Sequence, residues 1–186
     1  RVRVFSDEAT DENPNSGSRE LARFIEWITR DRVKDFGIKL VFRRDRFGRG
    51  GDHTPFHEEG FSAVRFIEVH EEYSRQHTPD DLIEHMDFNY LANVARMNVL
   101  AMASLMQAGP APTEVRIVRD QGHDTTVTWK ATPGTCYTVY WRETTSPIWQ
   151  DCSHVEETDK ATIKLVNKDD HIFAVGAEGG IPVEAR

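Results

Sequence analysis

Arg46-Phe-Gly-Arg-Gly-Gly-Asp-His-Thr-Pro-Phe56, with the later Arg75-Gln-His-Thr-Pro-Asp80, is the stretch that decides the fold of the first half of this chain. Between the two, Gly60-Phe-Ser-Ala-Val-Arg-Phe-Ile-Glu68 is apolar enough to predict a buried strand. A strand flanked by two polar loops that carry histidines is typical of α/β enzymes, which hold their sites at strand ends. The pattern therefore predicts a sheet whose adjoining loops build a site.

The segments around this stretch complete an α/β pattern. Residues 1–6 and 38–42 predict strands, and Ser18 predicts the N-cap of a helix that runs to about residue 34. Asp87 predicts the cap of a long helix to about residue 107. This order favours a partial mixed sheet with flanking helices. The long helix is expected to bury a stripe made of Leu91, Val94, Ala95, Met102 and Leu105, with the methionines as core residues.

The second half of the chain has a different sequence pattern. Gly109-Pro-Ala-Pro112 predicts a linker after the helix, so the expected domains are residues 1–109 and 113–186, joined by residues 110–112. Short alternating segments separated by turns predict an all-β sandwich. Trp129 and the run Tyr137-Thr-Val-Tyr-Trp141 resemble a fibronectin type III module. The expected strands are residues 114–118, 125–129, 137–141, 161–165 and 171–175.

The quoted loops resemble the C-terminal half of the catalytic domain of the dizinc aminopeptidases, of the bacterial leucine aminopeptidase and glutamate carboxypeptidase type. This resemblance implies a phosphorylase/hydrolase-like aminopeptidase core. In that family a Gly/Ser-Asp-His-x-x-Phe loop lines the substrate pocket and a later His-Thr turn binds zinc. The resemblance therefore implies that His77 is a zinc ligand, oriented by Asp80 or Asp81.

The same resemblance assigns substrate contacts in the first loop. Arg49 would donate toward the substrate backbone or the catalytic acids, and Asp52 would join the hydrogen bonds near the general base. Phe56 would form an apolar wall of the specificity pocket. Gln76 stands where many family members carry a tyrosine that helps polarise the substrate carbonyl, so the carry-over of that role is weakened. His53 is the weakest candidate of this loop.

Several parts of the family pattern are missing from this chain. The family binds two zinc ions, and its upstream His-x-Asp, Glu-Glu pair and further acid have no counterpart here. At most one ligand is present, and no catalytic residue is expected in this piece because the general base lies upstream. The chain begins at Arg1, directly on a strand, which predicts a cut through a larger protein. We expect the piece alone to be inactive and to need the missing N-terminal half, or a partner chain, for stability.

A self-contained metal site in the first half is not expected. His53, His57, Glu58, Glu59 and His70 include suitable donors, but Pro55 is expected to prevent a helix that would align His53 with His57. Glu58 and Glu59 precede a glycine as an ordinary exposed turn. They are not the family's catalytic pair.

The resemblance implies a secreted or periplasmic zinc peptidase that uses a metal-activated water on peptide substrates. The alternative is a non-catalytic or cyclase-like relative used for binding. With 31 acidic and 23 basic residues the net charge is −8, which gives no basic patch for nucleic acid, and no apolar stretch is long enough for a membrane span. Cys136 and Cys152 do not fall opposite each other in a hairpin centred on residues 145–148, and their pairing stays open.

The β-module offers no convergent polar site, since His123, His154 and His171 lie on separate segments. A structural or docking role is therefore expected. The rival interpretation is a carbohydrate- or surface-binding module that uses an exposed Trp149 as its platform.

Overall fold

The computed structural model describes residues 1–6, 16–43, 50–119 and 122–186. The chain divides into two compact units, Arg1–Ala101 and Met102–Arg186. This division falls inside a helix, eight residues before the sequence-based boundary at residue 109, which stays a prediction. Among the described residues, no helix is long and apolar enough to cross a membrane.

The first unit contains a mixed three-stranded sheet. Strand β1 (Val2–Phe5) is central, parallel to β2 (Ile38–Val41) and antiparallel to β3 (Arg65–Glu68). Each of the outer strands has no further strand beside it in the part of the chain that the structure describes. The expected mixed sheet is present, although the strand before the second loop begins at Arg65 rather than near residue 60, and it is half-buried rather than buried. The helices are α1 (Gly17–Thr29), α2 (Thr54–Glu58) and α3 (Phe88–Gln107), with a 3-10 turn at Ile83–His85.

One buried cluster of this unit lies on the face of the sheet that carries Val2 and Val4. Val2 and Val4 point to the same side of β1 because side chains alternate along a strand, and both are buried. Ala22 of α1 and Met97 of α3 pack against them. Arg3 and Phe5 point to the opposite face. Each of the two long helices therefore contributes a residue to this cluster.

Helix α1 differs from its prediction at both ends. The N-cap is Ser16, whose Oγ accepts the Arg19 backbone N–H at 3.3 Å, whereas Ser18 is fully buried inside the first turn. Two serines at this spacing both suit a cap, and burial of Ser18 decides between them. The helix ends at Thr29 rather than near residue 34, because the chain turns there toward Val33 and reaches a left-handed Asp35 at φ +57°.

Helix α3 has the expected bounds but a different buried face. The Asp87 carboxylate accepts the backbone N–H groups of Asn89 and Tyr90 at 2.9 and 3.0 Å, which confirms the cap. Met97 and Ala101 are the buried positions, whereas Leu91, Met102 and Leu105 of the predicted stripe are exposed. The stripe was wrong because this helix is apolar on more than one side, so periodicity alone does not choose the face. Met97 is core, and Met106 is not.

The second unit is a β-sandwich, as the alternating segments predict. One sheet has the order β4-β5-β8 and the other β10-β9-β6-β7. Buried side chains of both sheets, among them Trp129, Tyr137 and Phe173, form one core. Strands β7 and β10 were not predicted, because the first is polar and the second has two residues. The strands are β4 (Thr113–Ile117), β5 (Thr125–Lys130), β6 (Tyr137–Glu143), β7 (Asp151–Val155), β8 (Lys160–Ile163), β9 (His171–Ala177) and β10 (Val183–Glu184).

Both cysteines are free thiols. Cys152 of β7 lies opposite Tyr140 of β6, whereas Cys136 precedes β6 by one residue. The hairpin register thus separates the two cysteines by several residues along the ladder. Burial, followed by the charge of Asp151, raises the pKa of the Cys152 thiol.

Candidate functional site

Residues Thr54–Glu58 form a short helix, contrary to the expectation from Pro55. Proline lies in the first turn of α2, where its missing N–H has no helical acceptor to lose, so it starts the helix rather than breaking it. His53 is the N-cap residue, and its ring packs edge-on against that of His57 with centroids 5.1 Å apart. The two histidines that the sequence separated are therefore neighbours.

His57 has a structural role in holding this loop against helix α1. Its Nε2 lies 2.9 Å from the carbonyl oxygen of Ala63, which can only accept, so Nε2 carries the proton in this contact. The Ala63 backbone N–H donates to Ser18 Oγ at 2.9 Å, and Ser18 Oγ is also 3.3 Å from Nε2. These contacts tie the start of α1 to the strand that follows α2. No sequence motif predicts this pairing, because Ser18 and His57 are 39 residues apart.

The predicted substrate residues of this loop lie at the surface. Asp52 is exposed, and Phe56 is 58% exposed. Gly51 lies close to the Arg65 side chain at the beginning of β3, which places the loop beside that end of the sheet. Arg49 lies outside the described residues. Exposure of Asp52 and Phe56 neither confirms nor contradicts their predicted contacts with substrate, which stay predictions.

The second predicted segment forms a tight turn around His77. The backbone N–H of Thr78 donates to the Arg75 carbonyl oxygen at 3.1 Å, and Thr78 Oγ1 donates to the same oxygen at 2.8 Å. His77 occupies the left-handed region at φ +61° and its side chain is exposed, whereas Gln76 is half-buried. A left-handed histidine is uncommon and costs backbone energy. The turn thus holds an imidazole at the surface.

The residues that follow continue the turn with local bonds. The N–H of Asp80 donates to Thr78 Oγ1 at 3.2 Å, and that of Asp81 donates to the Thr78 carbonyl oxygen at 3.1 Å. Upstream, hydrogen bonds from Ser74 lower the pKa of the exposed Glu72 carboxyl. Thr78 therefore makes most of the hydrogen bonds described for this turn. The family resemblance did not assign it a role.

A polar network centred on a buried carboxylate lies just before this turn. Arg3 of the central strand donates to the Glu71 carboxylate at 2.6 Å and, through Nε, to the Glu68 carbonyl oxygen at 2.8 Å. The Tyr73 hydroxyl donates to the same Glu71 oxygen at 2.7 Å. The Glu71 side chain is only 4% exposed. Neither Arg3 nor Glu71 was a candidate from the sequence, since their positions differ by 68 residues.

The two loops leave strand β3 at opposite ends. Arg65 begins β3 opposite Phe5, and Glu68 ends it opposite Val2. The chain after β3 then returns toward β1, where Glu71 contacts Arg3. Across the described ranges, no three His, Cys, Asp or Glu side chains are close enough together to hold a metal ion. The structure therefore does not gather His77 and Asp52 into a metal site.

The sandwich unit corrects one further expectation. Trp149 is completely buried, so it cannot be the exposed platform of a surface-binding module. Its ring packs beside Tyr140 with centroids 6.0 Å apart. The histidines of this unit also serve local structure: His154 Nδ1 lies 2.8 Å from Thr138 Oγ1, and His171 Nδ1 lies 3.0 Å from the Asn167 carbonyl oxygen. They do not converge.

Comparison with solved structures returns β-sandwich domains. A redesigned β-sandwich protein covers 41% of this chain and 86% of its own length, with 14% identity and a TM-score of 0.35. The FN3 domain of human collagen XX covers 42% of this chain and 97% of its own, with 16% identity and a TM-score of 0.32. No family model matches the chain.

Sequence comparison with curated proteins gives a more extensive likeness. A probable zinc metalloprotease of Leptosphaeria maculans is 36% identical over 180 residues, which is 89% of this chain and 41% of that protein. A probable zinc metalloprotease of Pyricularia oryzae is 34% identical over 183 residues, covering 89% of this chain and 36% of that protein. The chain spans about two fifths of the length of these relatives, and it resembles proteins named as zinc metalloproteases along most of its own length.

Proposed function

We propose that this chain is part of a zinc-dependent exopeptidase, an aminopeptidase that hydrolyses peptide bonds at free N-termini. The observation that carries the proposal is the 36% identity to a probable zinc metalloprotease across 89% of the chain. The aminopeptidase type rests on the Asp52–Phe56 and Arg75–Asp81 sequences and on their resemblance to the dizinc aminopeptidases. An exposed imidazole held out by a tight turn at His77 is compatible with a ligand role.

The described residues do not by themselves fit a zinc site. Zinc in proteins takes three or four protein ligands, and His77 supplies one imidazole with no second and third donor grouped beside it in the ranges the structure describes. We therefore derive no catalytic step through the metal from this chain. In the proposal, the other ligands and the general base belong to the part of the full-length protein that has no counterpart here, as the greater length of the relatives allows.

The contribution of this chain is to bind and orient the peptide. Phe56 offers an exposed apolar surface for a substrate side chain. Asp52 offers a carboxylate that could hold a donor of the substrate or of the catalytic centre, and Gln76 can donate an amide hydrogen bond toward a carbonyl oxygen. Arg49 is proposed as a further donor. His77 is proposed as the single zinc ligand of this chain.

The test is hydrolysis and metal content of a full-length protein that contains this chain. We expect hydrolysis of aminoacyl-nitroanilides that a chelator abolishes and added zinc restores. The variant His77→Ala should lose bound zinc as well as activity, whereas His70→Ala, which removes another exposed imidazole, should retain both. Absence of chelator-sensitive hydrolysis in a folded wild-type protein contradicts the peptidase proposal. Unchanged zinc content in His77→Ala contradicts the ligand assignment alone.

Gln76 favours a second candidate function. A residue without a phenolic hydroxyl at this position suits a relative that binds peptides without hydrolysing them, or one that cyclises amides. The Gln76→Tyr variant of the full-length protein separates these outcomes. If the wild-type protein binds peptides without turnover and Gln76→Tyr introduces no hydrolysis, the non-catalytic function replaces the aminopeptidase.

The sandwich unit is proposed to have a structural or docking role. Its large aromatic side chains form its interior, and none of the described histidines, cysteines or acids group into a metal site. Deleting residues 110–186 from the full-length protein should lower thermal stability while leaving turnover of small substrates in the surviving folded fraction. Retained stability with loss of binding to insoluble polymers would instead assign the unit a binding role that does not use Trp149.

A further inference from the structure

We propose that Glu71 is a positioning residue for the turn that carries Gln76 and His77. This inference rests on the proposed function, since the turn matters for catalysis only if His77 binds zinc. Whether Glu71 holds the turn in place can be measured without any activity. Glu71 does not contact substrate in this proposal. It acts by fixing the start of the segment whose exposed end presents His77.

The contacts of Glu71 identify it as an anchor. Its carboxylate is 4% exposed and accepts from both Arg3 and Tyr73, at 2.6 and 2.7 Å. Arg3 is on the central strand, and its Nε also holds the Glu68 carbonyl oxygen where β3 ends. A buried carboxylate is stable only with such partners, because removing one of them leaves an uncompensated charge. The network therefore joins the segment to the most firmly paired strand of the sheet.

The chain beyond this anchor is organised by short-range bonds. The bonds of the His77 turn join Thr78 to Arg75, Asp80 and Asp81, all within three residues. Such bonds set the shape of the turn but do not fix its place on the sheet. Because His77 is exposed and its left-handed backbone is costly, the turn gains little from burial of its own. Its position is therefore expected to depend on the anchor six residues upstream.

The experiment is hydrogen exchange on the full-length protein that contains this chain and on three variants of it. In Glu71→Gln the carboxylate loses its charge but keeps its size, and we expect the amides of Thr78 and Asp81 to exchange about tenfold faster or more. Amides of the sandwich strand β6 should be unchanged. Glu72→Gln is the matched control, because Glu72 is exposed and its bond is the local one to Ser74. It should leave the turn as protected as in the wild-type chain.

A charge exchange, Arg3→Glu with Glu71→Arg, tests whether the pair itself matters. We expect it to restore part of the protection that Glu71→Gln loses, a result that a general loss of stability would not give. Unchanged protection of Thr78 and Asp81 in Glu71→Gln would overturn the proposal, as would an equal loss across strand β1. In the full-length protein, Glu71→Gln should weaken zinc binding, because the turn that carries His77 is no longer held beside the central strand. Absence of all hydrolysis would count against the peptidase proposal and leave the exchange result standing.

Discussion

The guanidinium carbon of Arg142 lies 5.3 Å from the centroid of the Trp149 ring, and both side chains are buried. Arg142 also donates to the Ser146 carbonyl oxygen at 2.9 Å, which draws the β6–β7 connection onto the sheet. Tyr140 also packs against the indole, with ring centroids 6.0 Å apart. The three residues form a second packed layer on the face of β6 that points away from the main sandwich core.

Replacing Trp149 should therefore destabilise the sandwich. We expect Trp149→Ala to lower the free energy of unfolding of this unit by about 3–5 kcal/mol, the usual cost of removing a buried large aromatic side chain. Leu165→Ala is the control, since Leu165 is 85% exposed and should change the free energy by less than about 0.5 kcal/mol. The measurement is urea unfolding followed by far-UV circular dichroism. Similar effects of the two variants would mean that Trp149 is not buried in solution.

Two left-handed glycines of the same unit differ in their surroundings. Gly134 has φ +74° and open space where a Cβ atom would lie, whereas a Cβ atom on Gly179, at φ +72°, would come within 2.9 Å of the Ser104 carbonyl oxygen. Gly134→Ala should cost about 1–2 kcal/mol from backbone strain alone. Gly179→Ala should cost about 1–3 kcal/mol more, because a backbone atom must move. Thermal melts of both variants check this, and equal costs would show that the close approach to Ser104 is absent.

A buried ion pair lies within helix α1. Arg23 donates to the Glu20 carboxylate at 2.6 Å, and the two side chains are 6% and 8% exposed. We expect Glu20→Leu to destabilise the first unit by about 3–5 kcal/mol, because it removes a carboxylate that pairs with a buried guanidinium, and the double variant Glu20→Leu with Arg23→Met to recover part of that loss. Removing the more accessible pair through Glu26→Gln should cost about 0.5 kcal/mol. Chemical denaturation of the unmodified protein, Glu20→Leu, Arg23→Met, the double variant and Glu26→Gln provides the comparison, and additive costs of Glu20→Leu and Arg23→Met would contradict the coupling.

Alkaline pH should destabilise the sandwich through Tyr140. Burial raises the pKa of Tyr140 to about 12, above the ordinary value of 10.0, while a hydrogen bond with Thr138 acts in the opposite direction. The folded chain therefore binds this proton more tightly than the unfolded chain. The stabilisation is fully present below pH 10 and is lost as the pH rises from about 10 to 12. Tyr140→Phe should flatten the decline of stability over that window, and an unchanged slope would contradict the assignment.

The sequence was most informative where one physical signal dominated. Alternating residues predicted the strands of the sandwich core because one side of each strand is buried, and Asp87 predicted the start of α3 because a carboxylate before an apolar stretch is a strong cap. It failed where two signals compete. Ser16 and Ser18 are equally good caps, and an all-round apolar helix leaves the choice of Leu91 or Met97 as the buried residue to the rest of the fold.

The candidate site was predictable only as far as local motifs reach. His77 and Asp52 were found from their neighbours in sequence, and their roles stay predictions. The contacts that hold these segments in place join Ser18 with His57 and Arg3 with Glu71, at separations of 39 and 68 residues. No periodicity or motif links such pairs, because tertiary packing alone brings them together.

Strand β3 has one further consequence for anyone who prepares this protein. Its outer side carries no neighbouring strand among the described residues, and its centre is the apolar pair Phe66 and Ile67. Such an edge is a template on which other polypeptides can align and assemble into insoluble material. Arg65 and Glu68 flank the apolar pair, as charged gatekeepers do in natural sequences. Neutralising these two charges is therefore expected to favour association of this chain through that edge.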